Sequence, residues 1–314
     1  MVGPLDRVKI LFQTSNPQFA KYTGSWFGAV DAMKTIYSSD GTRGLFRGHS
    51  ATLLRIFPYA GIKFLAYEQV RASLIKDRSQ ETAARRFLSG SIAGTISVFF
   101  TYPLEVIRVR LAFETKGGAR ASYADICRQI YHEHPPRPIA SSVSSSSLPS
   151  AASTAAAAVQ DFTPSSGFIN FYRGFTPTLW GMLPYAGASF LTHDSAGDLL
   201  RRPQFAPYTT LPNTATTKKP AQLTSWAQLI AGGLAGFVSQ TVSYPLEVVR
   251  RRMQVGGAVG DGRRSGMAET ANKIYLERGW RGFFVGLSIG YVKVVPLASV
   301  SFYVYERGKF YLGI

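Results

Sequence analysis

A single cysteine, Cys127, stands in the whole chain, so neither a disulfide framework nor a multi-cysteine zinc site can be built from it. Histidine is nearly as scarce. Of His49, His132, His134 and His193, only the His-x-His at 132–134 has ligand-like spacing, and it lies beside a Ser/Ala/Pro stretch that suits plain surface. No metal and no cofactor is therefore expected. No glycine loop precedes a Lys-Ser/Thr pair, which removes the phosphate-cradling motif of nucleotide hydrolases, and enzymatic chemistry is not expected. Acids are few, 18 against 35 bases, and the net charge is +17. Such an excess suits an anionic substrate, an acidic lipid surface or nucleic acid. No nucleic-acid-binding motif accompanies it, so a basic nucleic-acid-binding protein ranks last among these readings. No amino-terminal signal or transit segment is expected either, since a proline stands at residue 4.

Charge is missing in a patterned way. The mean hydropathy of +0.02 is low for a membrane protein, but it averages over strong segregation. Residues 87–104, 174–192 and 226–246 are 18, 19 and 21 residues without a formal charge. Each is long enough to cross a bilayer. A chain of 314 residues then reads as one membrane domain rather than two soluble ones.

Three hinges organise the rest. Pro103-Leu104-Glu105-Val106-Ile107-Arg108 closes one uncharged run, and Pro245-Leu246-Glu247-Val248-Val249-Arg250 closes another. Near the start, Pro4-Leu5-Asp6-Arg7-Val8-Lys9 says nearly the same. One Pro-x-acid-x-x-base is weak evidence, but three copies point to an internal triplication. After each hinge comes a short amphipathic segment: 25–38 with Phe27, Val30, Met33, Ile36 and Tyr37 on one face, then 123–132, then 267–276. A glycine-punctuated turn follows each: 40–48, 170–174 and 279–286. Long helices are expected at 49–75, broken in the middle by Pro58, at 175–201 with Pro184, and at 287–311 with Pro296. The hinge helices are expected at 87–111 and 226–253.

Hinge-to-proline separations of 54, 81 and 51 place an insert of roughly 30 residues in the middle repeat. Composition locates it at 135–166, expected to be disordered. A separation 16 residues longer between the second and third repeats predicts an extended loop at 203–222.

With these features the chain resembles the mitochondrial carrier family over nearly its whole length. The resemblance implies an all-α membrane protein, a six-transmembrane-helix barrel of three pseudo-threefold repeats with short matrix helices. The repeats would be 1–80, 81–222 and 223–314, the protein a monomer in the mitochondrial inner membrane, and cardiolipin a lipid partner. One central site would open alternately to either side. At the matrix gate the acid of one repeat would pair with the base of the next: Asp6 with Arg108, Glu105 with Arg250, Glu247 with Lys9. An unpaired charge in the membrane costs about 2.5–3.5 kcal/mol, so pairing has a physical reason of its own. Gln13 and Gln254, nine residues after their prolines, match the family's bracing glutamines, and Ala112 takes that place in the second repeat.

The cytosolic gate would read Tyr67-Glu68-x-x-Arg71, His193-Asp194-x-x-Gly197 and Tyr305-Glu306-x-x-Lys309. Gly197 breaks the pattern and weakens that latch. Thirteen residues before the acids stand Arg55, Gly181 and Lys293, which match the family's substrate contacts. Within the family, Gly181 followed by Met182 goes with nucleotide-type substrates, with Tyr59, Lys63 and Tyr185 a turn or more beyond the contacts. Arginine and lysine would hold phosphates, and glycine with methionine would admit a flat base.

The phrases at 48–60 and 283–291 resemble the coenzyme A carriers of fungi and their animal relatives linked to Graves disease. The expected activity is exchange of coenzyme A or another adenine nucleotide. The alternative is a carrier of ADP/ATP, ATP-Mg/phosphate or another phosphorylated cofactor, with the run Arg250-Arg251-Arg252-Met253 only half matching adenine translocases. Measured against Gly90 and Gly94 before Pro103, and Gly232 and Gly236 before Pro245, the first helix reads as truncated by about 15 residues. Those glycine pairs are expected to let neighbouring helices approach closely.

Overall fold

The computed structural model describes residues 2–25, 27–75, 82–115, 122–133, 167–211, 221–258, 265–294 and 307–308, the side chains of 83, 84, 86 and 87 excepted. The stretch at 135–166 lies outside the described residues. In chain order the helices are α1 (Gly3–Gln13), α2 (Gly28–Leu45), α3 (His49–Leu74), α4 (Ala83–Phe113), α5 (Tyr123–Tyr131), α6 (Phe175–Leu200), α7 (Ala206–Thr209), α8 (Ser225–Val255) and α9 (Met267–Arg278). A tenth, α10, is helical from 287 to 294. Single 3-10 turns occupy Ala20–Tyr22, Gly167–Tyr172 and Gly279–Phe284. Among the described residues the only strand-like feature is a bridge between Thr210 and Leu223. Two compact units divide the chain: Met1–Arg47, Gly174–Arg252 and Met267–Ile314 form the first, Gly48–Arg173 and Met253–Gly266 the second.

Local chemistry explains the helix ends. Pro4 sits in the first turn of α1, where no amide hydrogen is needed. Thr82 caps α4 by accepting from the Arg85 amide at 3.3 Å. Ser122 and Asp125 form a capping box on α5, with the Ser122 amide 2.9 Å from Asp125 Oδ2. The glycines before α3, α6 and α10 share one backbone state, with φ of 82° at Gly48, 80° at Gly174 and 85° at Gly286. At Gly48 a side chain would also press on the Arg108 carbonyl at 3.0 Å, so the aromatic-x-Gly turns need glycine.

Three expectations need correction. Pro58 does not break its helix: α3 runs for 26 residues through it, because one proline removes a single hydrogen bond from a long ladder. The amphipathic segment begins at Gly28, and its apolar face is divided between the core, which takes Ile36 and the packed Met33, and the exposed side. Ala32 and Ile36 are buried, while Phe27, Val30 and Tyr37 are exposed by 73%, 42% and 57%. Small residues at 28, 29 and 32 let α2 lie close on its neighbours, which the bulkier face could not do. Among the described residues a methyl at Gly90, Gly94, Gly232 or Gly236 would meet nothing within 4 Å, so the glycine pairs are not points of close approach there. The close faces run one residue earlier, through buried Ser89, Ala93 and Ser97 on α4 and Ala231, Ala235 and Ser239 on α8.

In the first unit the core joins Val8, Leu11 and Phe12 of α1 to Phe19, to Ala32 and Ile36 of α2, and to Ile289 of α10. In the second, α3 packs along α4, where Ser97 Oγ donates to the Tyr59 carbonyl at 2.7 Å. Ile126 and Ile130 of α5 are buried a turn apart. The opposite faces are apolar and open: Phe57, Phe64 and Leu65 on α3, Trp180, Leu183 and Leu191 on α6. Exposed apolar rows of this size are what a bilayer covers. Among the described residues, Leu88–Phe113 has the length and composition to cross one. The expected long loop at 203–222 contains the one-turn α7 and is tied by Arg201 Nε to the Ala221 carbonyl at 3.0 Å.

Candidate functional site

Acid and base stand three positions apart on each hinge helix, so both project from one face a turn apart. In the first unit this places Lys9 Nζ 3.0 Å from Glu247 Oε1, one of the three pairs expected at the matrix gate. The other two, Asp6 with Arg108 and Glu105 with Arg250, each take one residue from either unit and stay expectations. Within the units those two acids have partners of another kind. Lys293 Nζ lies 2.6 Å from Asp6 Oδ1, and Arg55 Nη2 lies 3.2 Å from Glu105 Oε2. Arg55 and Lys293, two of the three bases expected near substrate, are thus held by acids expected in the gate. Sequence spacing gave no sign of this, since Asp6 and Lys293 stand 287 residues apart.

The glutamine braces act through tyrosines that sequence reasoning missed. Gln13 Nε2 donates to Tyr244 Oη at 3.1 Å, and that hydroxyl donates to the Val285 carbonyl at 2.9 Å. Gln254 Nε2 likewise reaches Tyr102 Oη at 3.1 Å, which donates to the Arg173 carbonyl at 3.0 Å. Phe284 stacks on Tyr244 and Tyr172 on Tyr102, with interplanar angles of 8° and 14°. The available signal was the Tyr-Pro dipeptide at both hinges.

A second set of charges, also missed, ties the hinge helices to the short helices and turns. Glu133 forms ion pairs with Arg110 at 2.7 Å and Arg173 at 3.0 Å, while Arg110 Nε donates to the Gln254 carbonyl at 2.7 Å. Arg252 pairs with Glu277 at 2.6 Å. Arg110 and Arg252 each stand seven residues after a hinge proline, a repeat that the sequence displays. In the first repeat that position is Leu11. The pairing base there is Arg7, one turn earlier, 3.5 Å from Asp40.

Between α6 and α8 in the first unit lies a cavity of about 470 Å³. Gly181, Met182 and Tyr185 line one side of it, and Gly236, Gln240, Ser243, Glu247 and Arg250 the other. Three expected substrate residues and two expected gate residues therefore meet there. The nearest atom to a methyl built on Gly181 would be Leu246 Cβ, at an ordinary 3.7 Å. In the second unit, Arg55 and Lys63 both lie over the ring of Tyr59, 5.5 and 5.9 Å from its centroid. Such stacking holds a cation beside an aromatic face without neutralising it.

At the expected cytosolic gate, Tyr67 is half-buried while Glu68 and Arg71 are exposed on α3. Asp194 is exposed and lies 3.8 Å from His193 Nδ1. The space above Gly197 is taken by Arg201, whose Nη1 would stand 3.0 Å from a methyl there and pairs with Asp198 at 3.5 Å. Tyr305, Glu306 and Lys309 lie outside the described residues.

Comparison with known proteins gives the family. The chain matches the family described as "Mitochondrial carrier protein" over residues 1–78, 79–160, 139–204 and 221–313. It is 48% identical over 327 residues to "Mitochondrial carrier protein LEU5" of Saccharomyces cerevisiae, covering 100% of this chain and 86% of that one. It is 34% identical over 321 residues to human "Solute carrier family 25 member 16", covering 98% and 82%. With "Mitochondrial carrier protein CoAc2" of Zea mays it shares 32% identity over 318 residues, covering 100% and 82%. The chain therefore belongs to the mitochondrial carrier family and shares its six-helix fold, a mitochondrial membrane transporter and not an enzyme.

Proposed function

We propose that this protein is a multi-pass carrier of the mitochondrial inner membrane that exchanges coenzyme A or a related adenine nucleotide by alternating access, working as a monomer of three repeats. The observation that carries the reading is the cavity of about 470 Å³ beside Gly181, Met182 and Tyr185, with Arg250 on its wall. Its size falls in the range of small-molecule sites. Backbone at Gly181, a thioether and a phenol suit the face of a flat base. Phosphates of the same molecule would be taken by Arg250 and Lys293, through a fork in the arginine and a point charge in the lysine, and Arg55 is added by the family pattern alone.

The same pairs suggest how binding is coupled to gating. Arg55 is held by Glu105 and Lys293 by Asp6. An arriving phosphate takes the base and releases the acid. Released Asp6 and Glu105 are the acids that the family pattern pairs with Arg108 and Arg250. Substrate would thus change the state of the gate by exchanging ion pairs, at little net cost in buried charge. A second cavity of about 370 Å³, with Arg278 and Arg281 on its wall, suits the anionic headgroup of cardiolipin.

Uptake into liposomes by the purified protein tests the substrate directly. Coenzyme A and adenosine 3′,5′-diphosphate are expected to exchange, and thiamine pyrophosphate is not. Failure of both adenine compounds while ADP or thiamine pyrophosphate passes would reject the coenzyme A assignment.

A further inference from the structure

One polar side chain on the cavity wall has no part in the gate or the braces. Gln240 lies on α8, five residues before Pro245, and lines the same cavity as Gly181, Met182 and Tyr185. Its backbone carbonyl accepts from Ser243 at 3.4 Å, but its side-chain amide makes no hydrogen bond to any described residue. An idle carboxamide at a cavity wall is a pair of donors and an acceptor kept for something else.

Its position is prepared by a glycine. A methyl at Gly290 of α10 would collide with Gln240 Nε2. Gly290 has no positive φ, so the backbone does not require glycine there. What glycine leaves there is room for the amide in this position.

We infer that Gln240 is a specificity-determining residue that reads the edge of an adenine base, an inference that rests on the adenine-nucleotide reading above. A carboxamide offers one N–H and one C=O side by side. Adenine matches them with N7 as acceptor and the N6 amine as donor. Guanine presents N7 and O6, two acceptors, and leaves the glutamine oxygen facing another oxygen. With the base lying against Met182 and Tyr185, the amide meets it edge-on from α8. Gly181 and Gly236 leave the cavity uncrowded on either side.

The test is competition in liposomes carrying the full chain, with labelled adenosine 3′,5′-diphosphate as the transported probe. Unlabelled adenosine, guanosine and cytidine 3′,5′-diphosphates are the competitors, and pyrophosphate is the base-free control. For the unaltered protein the adenosine compound should compete about tenfold better than the guanosine compound, the size expected of one two-point base contact. Gln240→Met keeps the length and removes the amide, and should cut that preference to about twofold or less while leaving pyrophosphate inhibition unchanged. Gly290→Ala, which pushes the amide aside from another helix, should do the same. An unchanged preference in both variants overturns the role of Gln240 and leaves the carrier reading standing. Equal loss of pyrophosphate and nucleotide inhibition also overturns it, since a merely structural residue behaves that way. An unaltered protein that transports no adenine nucleotide overturns both.

Discussion

Replacing Glu105 by glutamine tests whether gate and substrate compete for one set of charges. Glu105 is 1% exposed and lies 3.2 Å from Arg55, which is 21% exposed. Two unit charges at that separation attract by about 5 kcal/mol at an effective dielectric of about 20. Much of this offsets the dehydration of a buried carboxylate, so the net worth is about 1–3 kcal/mol. A phosphate must displace the carboxylate before it can hold Arg55. Glu105→Gln should therefore tighten substrate binding by about tenfold, or about 1.4 kcal/mol. The same change removes the acid that the family pattern pairs with Arg250, so turnover should fall by about tenfold or more. KM and maximal rate then fall together, a split that simple misfolding cannot produce. The assay is the initial rate of labelled coenzyme A exchange against concentration, with a thermal-shift titration as an independent measure of binding. Arg55→Gln should weaken binding. If Glu105→Gln leaves the affinity unchanged or lowers it, the competition argument is wrong.

Two further outcomes follow from other charges. Glu133→Gln leaves Arg110 and Arg173, whose side chains are 5% and 7% exposed, without their shared carboxylate. Breaking such a buried network costs about 3–5 kcal/mol, so the unfolding midpoint in detergent should drop by several degrees. An unchanged midpoint would show that the cluster contributes little. Gly197→Lys restores a base one turn from Asp194, and because that carboxylate is exposed the pair is worth at most about 1 kcal/mol. Exchange should slow by about two- to fivefold as the cytosolic latch strengthens, and an unaltered rate would sink that reading. Arg201 Nη1, 3.0 Å from the new side chain, is the end of a flexible group and can move aside.

Much of the fold was written in runs of uncharged residues and in the repeat of proline. Helices α3 and α6 end within a residue of where spacing put them, at Leu74 and Leu200. The inward face of α2 was harder to read because apolar residues stand on both of its sides, and small Ala29 and Ala32 beat Phe27 for the core. Gly181, Met182 and Tyr185 were legible because symmetry placed them level with Arg55 and Lys293. Gln240 and Ser243 were not. Their counterparts on α4, aligned by the hinge prolines, are Val98 and Thr101. Comparing repeats finds what the repeats share. A residue that one repeat alone carries, such as Gln240, is hidden from it.

The braces show the same logic in reverse. The first repeat's Gln13 donates to the third repeat's Tyr244, and the third repeat's Gln254 donates to the second repeat's Tyr102. The pattern leaves one donor position, Ala112, and one acceptor position, Gly3 just before Pro4. Neither carries a polar side chain. A buried amide or phenol left without its partner costs about 1–3 kcal/mol, while loss of both is nearly neutral. The gap in the second repeat is therefore matched by a gap in the first. Arg7 and Leu11 form a similar exchange, the first repeat placing its base where the others have Val106 and Val248, and its apolar residue where they have Arg110 and Arg252. These two departures from the threefold pattern are compensating pairs, because each interaction joins two elements and a half left alone in the interior is costly.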